Sequence, residues 1–302
     1  MAIERITGIV TDVLKHSDRH NIVTVFTRER GRMALLSSAG QGKAARVRNA
    51  SLLPLSVISA DVNINPGREL QFLGRFQRER LWKDLYFSPV KSAIALFLSE
   101  FLNAYVRNSG PDPHLFDFLL SAISRLDALR SEAAPSGAPE PAAVSGVPES
   151  AASSSPPESA GSSSRFCIPP LGGGKASGGG KAAGGGKEGN SALPNFHLAF
   201  LIEFMDYAGI RPDLSGWREG AWFDMRGGSM SLLPPSHRDV LPPPQAAQLP
   251  RLARMNLRTA RLFRLTGAER REILAAILRY YGLHFPGLGS LRSPQVLTSL
   301  FT

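Results

Sequence analysis

The chain has 302 residues, with 35 Lys and Arg against 25 Asp and Glu, a formal net charge of +10 and a pI near 10.2. Its single cysteine, Cys167, excludes an internal disulfide and any cysteine-based zinc site of ordinary type. No apolar run approaches the roughly 20 residues that span a bilayer, and no leader pattern opens the chain, so a soluble cytoplasmic protein without a membrane contact is expected.

The basic excess sits at the two ends. Residues 1–90 hold 14 Lys and Arg against 8 Asp and Glu, residues 192–302 hold 13 against 8, and residues 91–191 hold 8 against 9. Such a distribution favours nucleic acid or another anionic surface as partner of both ends. Arg outnumbers Lys in a chain rich in Ala, Gly and Pro, a bias that coding composition can produce by itself.

In chain order, Ile6–Leu14, Ile22–Thr27, Met33–Leu36, Leu52–Ile64 and Glu69–Phe76 read as five short strands. They leave no room for crossover helices, which predicts an OB-type antiparallel barrel over residues 1–82. Gly31 in the short connection between the second and third strands marks a hairpin. The period then changes. Ser88-Pro89 opens a helix carrying Ile94, Phe97, Leu98, Phe101, Leu102 and Tyr105 at helical spacing, and His114–Leu129 is a second. Residues 83–130 are thus the first part of a helical domain.

Residues 131–191 are dominated by Pro, Ala, Ser and Gly and read as a flexible low-complexity insertion, because too few apolar side chains are present to offset the chain entropy of ordering it. The helical domain resumes over residues 192–302, with a helix from Asn195 stopped by Gly209, a turn-rich segment anchored by Trp217, Trp222 and Phe223, and mixed helix over Leu249–Leu265. A capping box at Thr266–Glu269 opens a helix to about Leu283, and a last helix follows Ser293-Pro294. The fold class expected is α+β multidomain, a barrel followed by an all-helical C-terminal domain.

No catalytic constellation appears. The Gly-Lys pairs at 174–175, 180–181, 186–187 and 42–43 lack the Ser or Thr and the spacing of a phosphate loop. His16 and His20 flank a polar turn with no third ligand, and no nucleophile motif is present, so neither enzyme activity nor a cofactor is expected. What remains is basic. Asn21–Asn49 holds Arg28, Arg30 and Arg32 at the hairpin tip and Lys43, Arg46 and Arg48 in the loop that follows, against one anion, Glu29. Arg78 and Arg80 interleave with Phe76, Trp82 and Tyr86, aromatics that fit either base stacking or the junction between barrel and helices. Arg251, Arg254, Arg258 and Arg261 follow helical spacing and would share one face, solvated or turned to an acidic partner.

Several segments together resemble the bacterial DNA repair protein RecO family. They are Gly8-Ile9-Val10, Val25-Phe26-Thr27 with Gly31, Leu53-Pro54, the run Tyr207-Ala208-Gly209-Ile210-Arg211-Pro212-Asp213-Leu214, and the tail Tyr280-Tyr281-Gly282-Leu283-His284 with Leu291-Arg292-Ser293. The resemblance implies an N-terminal OB domain, a helical C-terminal domain, binding of single- and double-stranded DNA and strand annealing. It also implies partnership with RecR and with the acidic C-terminal tail of single-strand binding protein, so that RecA is loaded on coated DNA. Many members carry four zinc-binding cysteines after the Gly-x-x-Pro-x-Leu segment. This chain has none from 168 onward, which predicts an apolar mini-core around Trp217–Met230 in place of the metal. The barrel cations Arg28, Arg30, Arg32, Lys43, Arg46, Arg48, Arg78 and Arg80 are then the expected DNA contacts, and Arg254, Arg258 and Arg261 the expected contacts of the acidic tail. An OB-type RNA-binding or ribosome-associated factor is the alternative.

Overall fold

The computed structural model describes residues 2–38, 51–130 and 192–300. The insertion expected at 131–191 and most of the basic loop after the third strand lie outside them.

Five strands, β1 (Ala2–Lys15), β2 (His20–Thr27), β3 (Gly31–Ser38), β4 (Val57–Ile64) and β5 (Leu70–Arg78), close into a barrel in the order β1-β2-β3-β5-β4. Only β3 and β5 run parallel; this is the Greek-key order of an OB-type barrel. β1 is longer than its apolar alternation suggests because it serves two neighbours, pairing β4 from Ala2 to Ile9 and β2 from Gly8 to Lys15. A bulge between Val10 and Asp12 bends it from one to the other. β5 has its own bulge, where Gly74 lies so close to the Asp61 carbonyl that a Cβ there would stand 2.6 Å away. Residues 52–55, expected as the start of the fourth strand, are instead a turn that buries Leu52 and Leu55. Inward side chains, among them Ile6, Val10, Val23, Val25, Leu35 and Ile58, fill the barrel.

Two helices follow, α1 (Pro89–Tyr105) and α2 (Pro113–Ala128), each opened by a side chain that accepts a backbone N–H, Ser88 from Lys91 and Asp112 from Leu115. α3 (Phe196–Ala208) is apolar on nearly every side and lies at the centre of the helical part. Phe204 and Tyr281 meet the Phe101 ring edge-on at centroid distances of 5.2 and 5.1 Å, and the Tyr281 hydroxyl donates to the Leu201 carbonyl. Gly209, at φ +67°, ends the helix in the left-handed conformation expected of it.

A small sheet, which the sequence does not announce, comes next: β6 (Trp222–Asp224), β7 (Ser229–Ser231) and β8 (Val240–Leu241), in the order β7-β6-β8. Two one-turn helices, α4 (Pro243–Ala246) and α5 (Leu249–Leu252), lead to α6 (Gly267–His284), whose Thr266–Glu269 capping box is complete, and to α7 (Pro294–Leu300). No helix among the described residues is long and apolar enough to cross a membrane.

Barrel and helices share one apolar cluster, because Ile9, Phe26, Leu55 and Val57 of the barrel join the helical core. Trp82 donates from Nε1 to the Leu55 carbonyl and Tyr86 from its hydroxyl to the Pro54 carbonyl, so these two aromatics are junction side chains and do not present ring faces for stacking. Polar clamps surround the seam. Asp127 of α2 accepts the backbone N–H groups of Lys83, Asp84 and Leu85. The fully buried Lys91 ammonium donates to Asp84 Oδ2 at 2.6 Å and to the Asp127 carbonyl at 2.8 Å. Burial works against ionisation of Asp127, but the three backbone donors and Lys91 outweigh it and hold its carboxyl below the usual range. Asp127→Ala leaves three N–H groups without their acceptor and is expected to cost about 3 kcal/mol in urea unfolding at neutral pH. A depressed carboxyl stabilises above its unfolded-state range and loses that effect as pH falls through its folded value, so the difference between variant and native chain should shrink in acid.

Candidate nucleic-acid interface

The outer face of β2 and β3 is bounded by two loops, the β1–β2 turn at residues 16–19 and the β4–β5 turn at residues 65–69. The second is built from its sequence. Asn65-Pro66-Gly67 folds a tight turn, with Arg68 N–H donating to the Asn65 carbonyl at 3.0 Å and the Asn65 side chain accepting from Gly67 N–H at 3.1 Å. Gln71, nearly buried, braces it from below. Its side-chain oxygen accepts Asn65 N–H at 2.7 Å, and its amide donates to the Asn65 and Arg68 carbonyls. A groove runs between this turn and β3, and Arg30, Arg32, Ala34, Pro66 and Arg68 are among its walls.

Not every cation of the hairpin serves this groove. The hairpin tip is turned onto the helices: at Gly31, φ is +70° and a Cβ would lie 2.4 Å from the Gly110 backbone between α1 and α2. Arg28 at the tip grips both carboxylate oxygens of Asp117 and lies over the Phe116 ring, 6.0 Å from its centroid. Arg30 donates to Glu4 at 2.6 and 3.0 Å, and that hydrogen bond and charge hold the Glu4 carboxyl below its ordinary range. Arg32 is exposed and enters no ion pair among the described residues. Arg68, which composition and spacing do not single out, stands opposite it; the signal was the turn it follows. Arg78 is half-buried, donating to the Ser51 carbonyl in the turn before β4, and Arg80 reaches the Ser124 hydroxyl of α2, so neither lines the groove. Lys43, Arg46 and Arg48 lie outside the described residues.

The C-terminal arginines do not form one helical face. α5 stops at Leu252, and the Asn256 side chain then accepts the N–H groups of Arg258 and Thr259 in a local turn that competes with helix. Met255 and Leu257 are buried by this turn, while Arg254, Arg258 and Arg261 project as exposed side chains and Arg251 lies over the Phe263 ring.

The segment expected to form an apolar mini-core, Trp217–Met230, contributes β6 and β7 of the small sheet. Phe223 and Met225 are buried, but Trp217 is 43% exposed and Trp222 only half-buried, so the core there is smaller than expected. Salt links complete it. Asp239 accepts from Arg226 Nε at 2.8 Å and from Arg279 Nη2 of α6 at 2.8 Å, and Asp224 faces His237 Nε2 at 3.2 Å. Among the described residues no three His, Cys, Asp or Glu side chains are grouped to hold a metal ion, so the donor set does not fit zinc.

Comparison with known proteins gives the following. The family model described as Recombination protein O N terminal matches residues 1–78, and that described as Recombination protein O C terminal matches residues 187–293. A DNA repair protein RecO from Phocaeicola vulgatus is 28% identical over 303 residues, covering 99% of this chain and 100% of the relative. A DNA repair protein RecO from Bacteroides fragilis is 28% identical over 300 residues, covering 99% of each, and one from Porphyromonas gingivalis 26% over 298, covering 97% of each.

The Arg279 and Arg226 guanidinium groups hold the Asp239 carboxyl below its usual range. Both arginines are largely exposed, so Asp239→Asn is expected to cost only about 1 kcal/mol at neutral pH. That cost should be absent at a pH below the folded-state value, where the native carboxyl is itself protonated. Chemical denaturation at the two pH values checks it.

Proposed function

Since the chain belongs to the RecO family of DNA repair proteins, we propose that it acts without catalysis, as a recombination mediator. In this reading the barrel holds single- and double-stranded DNA by its phosphates and anneals complementary strands. Together with RecR, and in the cytoplasm at the nucleoid, the protein helps load RecA on DNA coated with single-strand binding protein. The observation that supports it best is the groove of an OB-type barrel flanked by the exposed Arg32 and Arg68. Annealing requires a surface that lowers repulsion between two backbones while leaving base edges free to pair; cations set on phosphates meet both conditions, and base-edge readout would not. Among the described residues, the titratable side chains that line the groove are Arg30, Arg32, Arg68 and Glu69, cations with a single carboxylate.

The expected DNA contacts are Arg32 and Arg68, with Lys43, Arg46 and Arg48 of the following loop joining them. Arg32→Ala with Arg68→Ala should weaken DNA binding about tenfold at moderate salt, lower the salt slope by about 2, and slow annealing of complementary oligonucleotides. Changing Lys43, Arg46 and Arg48 together to Ala should lower the slope by about 3. Unchanged affinity and slope in both variants would exclude the assignment. Preference for structured RNA over DNA in competition would favour a ribosome-associated role instead.

The acidic tail of single-strand binding protein is assigned to Arg254, Arg258 and Arg261, which are exposed on the segment that follows α5 and enter no ion pair among the described residues. Reversing all three to Glu should reduce tail-peptide affinity by more than about tenfold, since like charges then face each other, and should leave DNA binding by the barrel intact. Fluorescence anisotropy of a labelled peptide reads this directly.

A further inference from the structure

The barrel carries an outward row of apolar side chains that neither its own core nor the helices use. In register, Leu14 pairs with Ile22, Ile22 with Leu36, Leu36 with Phe72, Phe72 with Asn63, and Asn63 with Ile3. Paired residues point to the same side of a sheet, so Leu14, Ile22, Leu36 and Phe72 form a belt across β1, β2, β3 and β5; beyond it the polar Asn63 intervenes, and Ile3 lies eleven residues from Leu14 at the other end of β1. Its two ends are exposed, Leu14 at 60% and Phe72 at 50%, with the half-buried Ile22 and Leu36 between them. Scattered exposed hydrophobics need no explanation, but a contiguous row does. The other end of the same outer face shows the contrast, since Phe26 there is fully covered by the helices.

The belt runs from Leu14, beside the β1–β2 turn, to Phe72, shortly after the β4–β5 turn. Lys15 and Arg19 stand beside Leu14, and Arg68 stands two residues before Leu70, which precedes Phe72 on the same outer side of β5. Asp18 and Glu69 are the nearby carboxylates, and Asp18 already faces Lys15 at 3.4 Å. A row of apolar side chains including one exposed ring, bracketed by cations, matches a polymer that offers ring faces and phosphates together. Duplex DNA offers phosphates but keeps its base faces within its own stack. A single strand offers both.

We infer that the belt Leu14–Ile22–Leu36–Phe72 is a stacking platform for unpaired bases, with Phe72 as the side chain that makes this face favour single-stranded over duplex nucleic acid. The inference rests on the reading of the barrel as a DNA-binding module and adds what that reading leaves open, the strand type. Leu14 to Phe72 spans three strand spacings, roughly 14 Å, so more than one base can lie along the row.

The test compares the full-length chain and its variants on a fluorescein-labelled oligothymidylate and on a blunt duplex. Phe72→Ala should weaken oligothymidylate binding about tenfold with the salt slope unchanged, alter duplex binding by less than about twofold, and be rescued by Phe72→Trp. Phe72 is half-exposed, and a thermal melt matching the native chain confirms that the variant is folded. Equal loss on both probes, or no loss on oligothymidylate while Arg32→Ala with Arg68→Ala still weakens it, overturns the stacking role and leaves the phosphate reading standing. If the arginine changes are also without effect, the reading of this face falls with it. A change in sedimentation mass with oligothymidylate affinity unaltered would make the belt a contact between copies of the chain, and would equally overturn it.

Discussion

The rest of the structure depends on how the outside of the barrel is shared between helices and solvent. A closed barrel buries one set of alternate side chains within itself and must expose or cover the other set. Here Ile9, Phe26 and Val57 are covered because α1 and α2 pack on them, merging two would-be cores into one. The seam between them is polar at its edges: Lys91, Asp84 and Asp127 on one side, Arg28 and Asp117 on the other. A buried ammonium adds little to stability by itself, because its desolvation offsets most of its attraction to Asp84. It does fix which groups may lie opposite it, and so holds the barrel's exit segment in a single orientation on α2.

This arrangement decides what the hairpin can do. Read in isolation, Arg28, Arg30 and Arg32 are three equivalent cations at a basic tip. In the fold the tip lies against the helices through Gly31, Arg28 serves the helices, Arg30 is neutralised by Glu4, and Arg32 faces the groove. The working surface therefore shifts from the tip as a whole to the side of it that Arg32 shares with Arg68 and the turn braced by Gln71. Charge that is already paired within the protein releases few counterions on binding, so the unpaired cations matter more than their number.

The C-terminal part follows the same logic with other materials. Its helices are anchored by rings packed edge-on and tilted about Phe101, Phe204 and Tyr281, with the Tyr281 hydroxyl satisfied by the Leu201 carbonyl. The small sheet is too short to bury a core of its own, and a family in which many members carry cysteine ligands at this place solves that with a metal. Here Asp239 bridges Arg226 of the sheet region and Arg279 of α6, and Phe223 packs toward Tyr280. Exposed ion pairs are weaker than a metal site, which leaves this region resting chiefly on its few buried side chains.

By itself the sequence determined the five strands, the helices opened by Ser88-Pro89 and Thr266–Glu269, the stop at Gly209 and the family, because periodicity, caps and turn residues act over a few positions. It did not determine the length of β1 or the start of β4, which depend on strands far away in the chain. The small sheet also escaped it, since two- and three-residue strands carry no period. The expected helical face of Arg251–Arg261 failed for a local reason, the Asn256 side chain, that spacing alone does not weigh. Which arginines are paired and which apolar residues remain uncovered was left to the tertiary structure. Arg28 and Arg32, like Phe26 and Ile22, are near neighbours of the same type in the sequence. Only the packing of α1 and α2 on one end of the barrel gives them opposite fates.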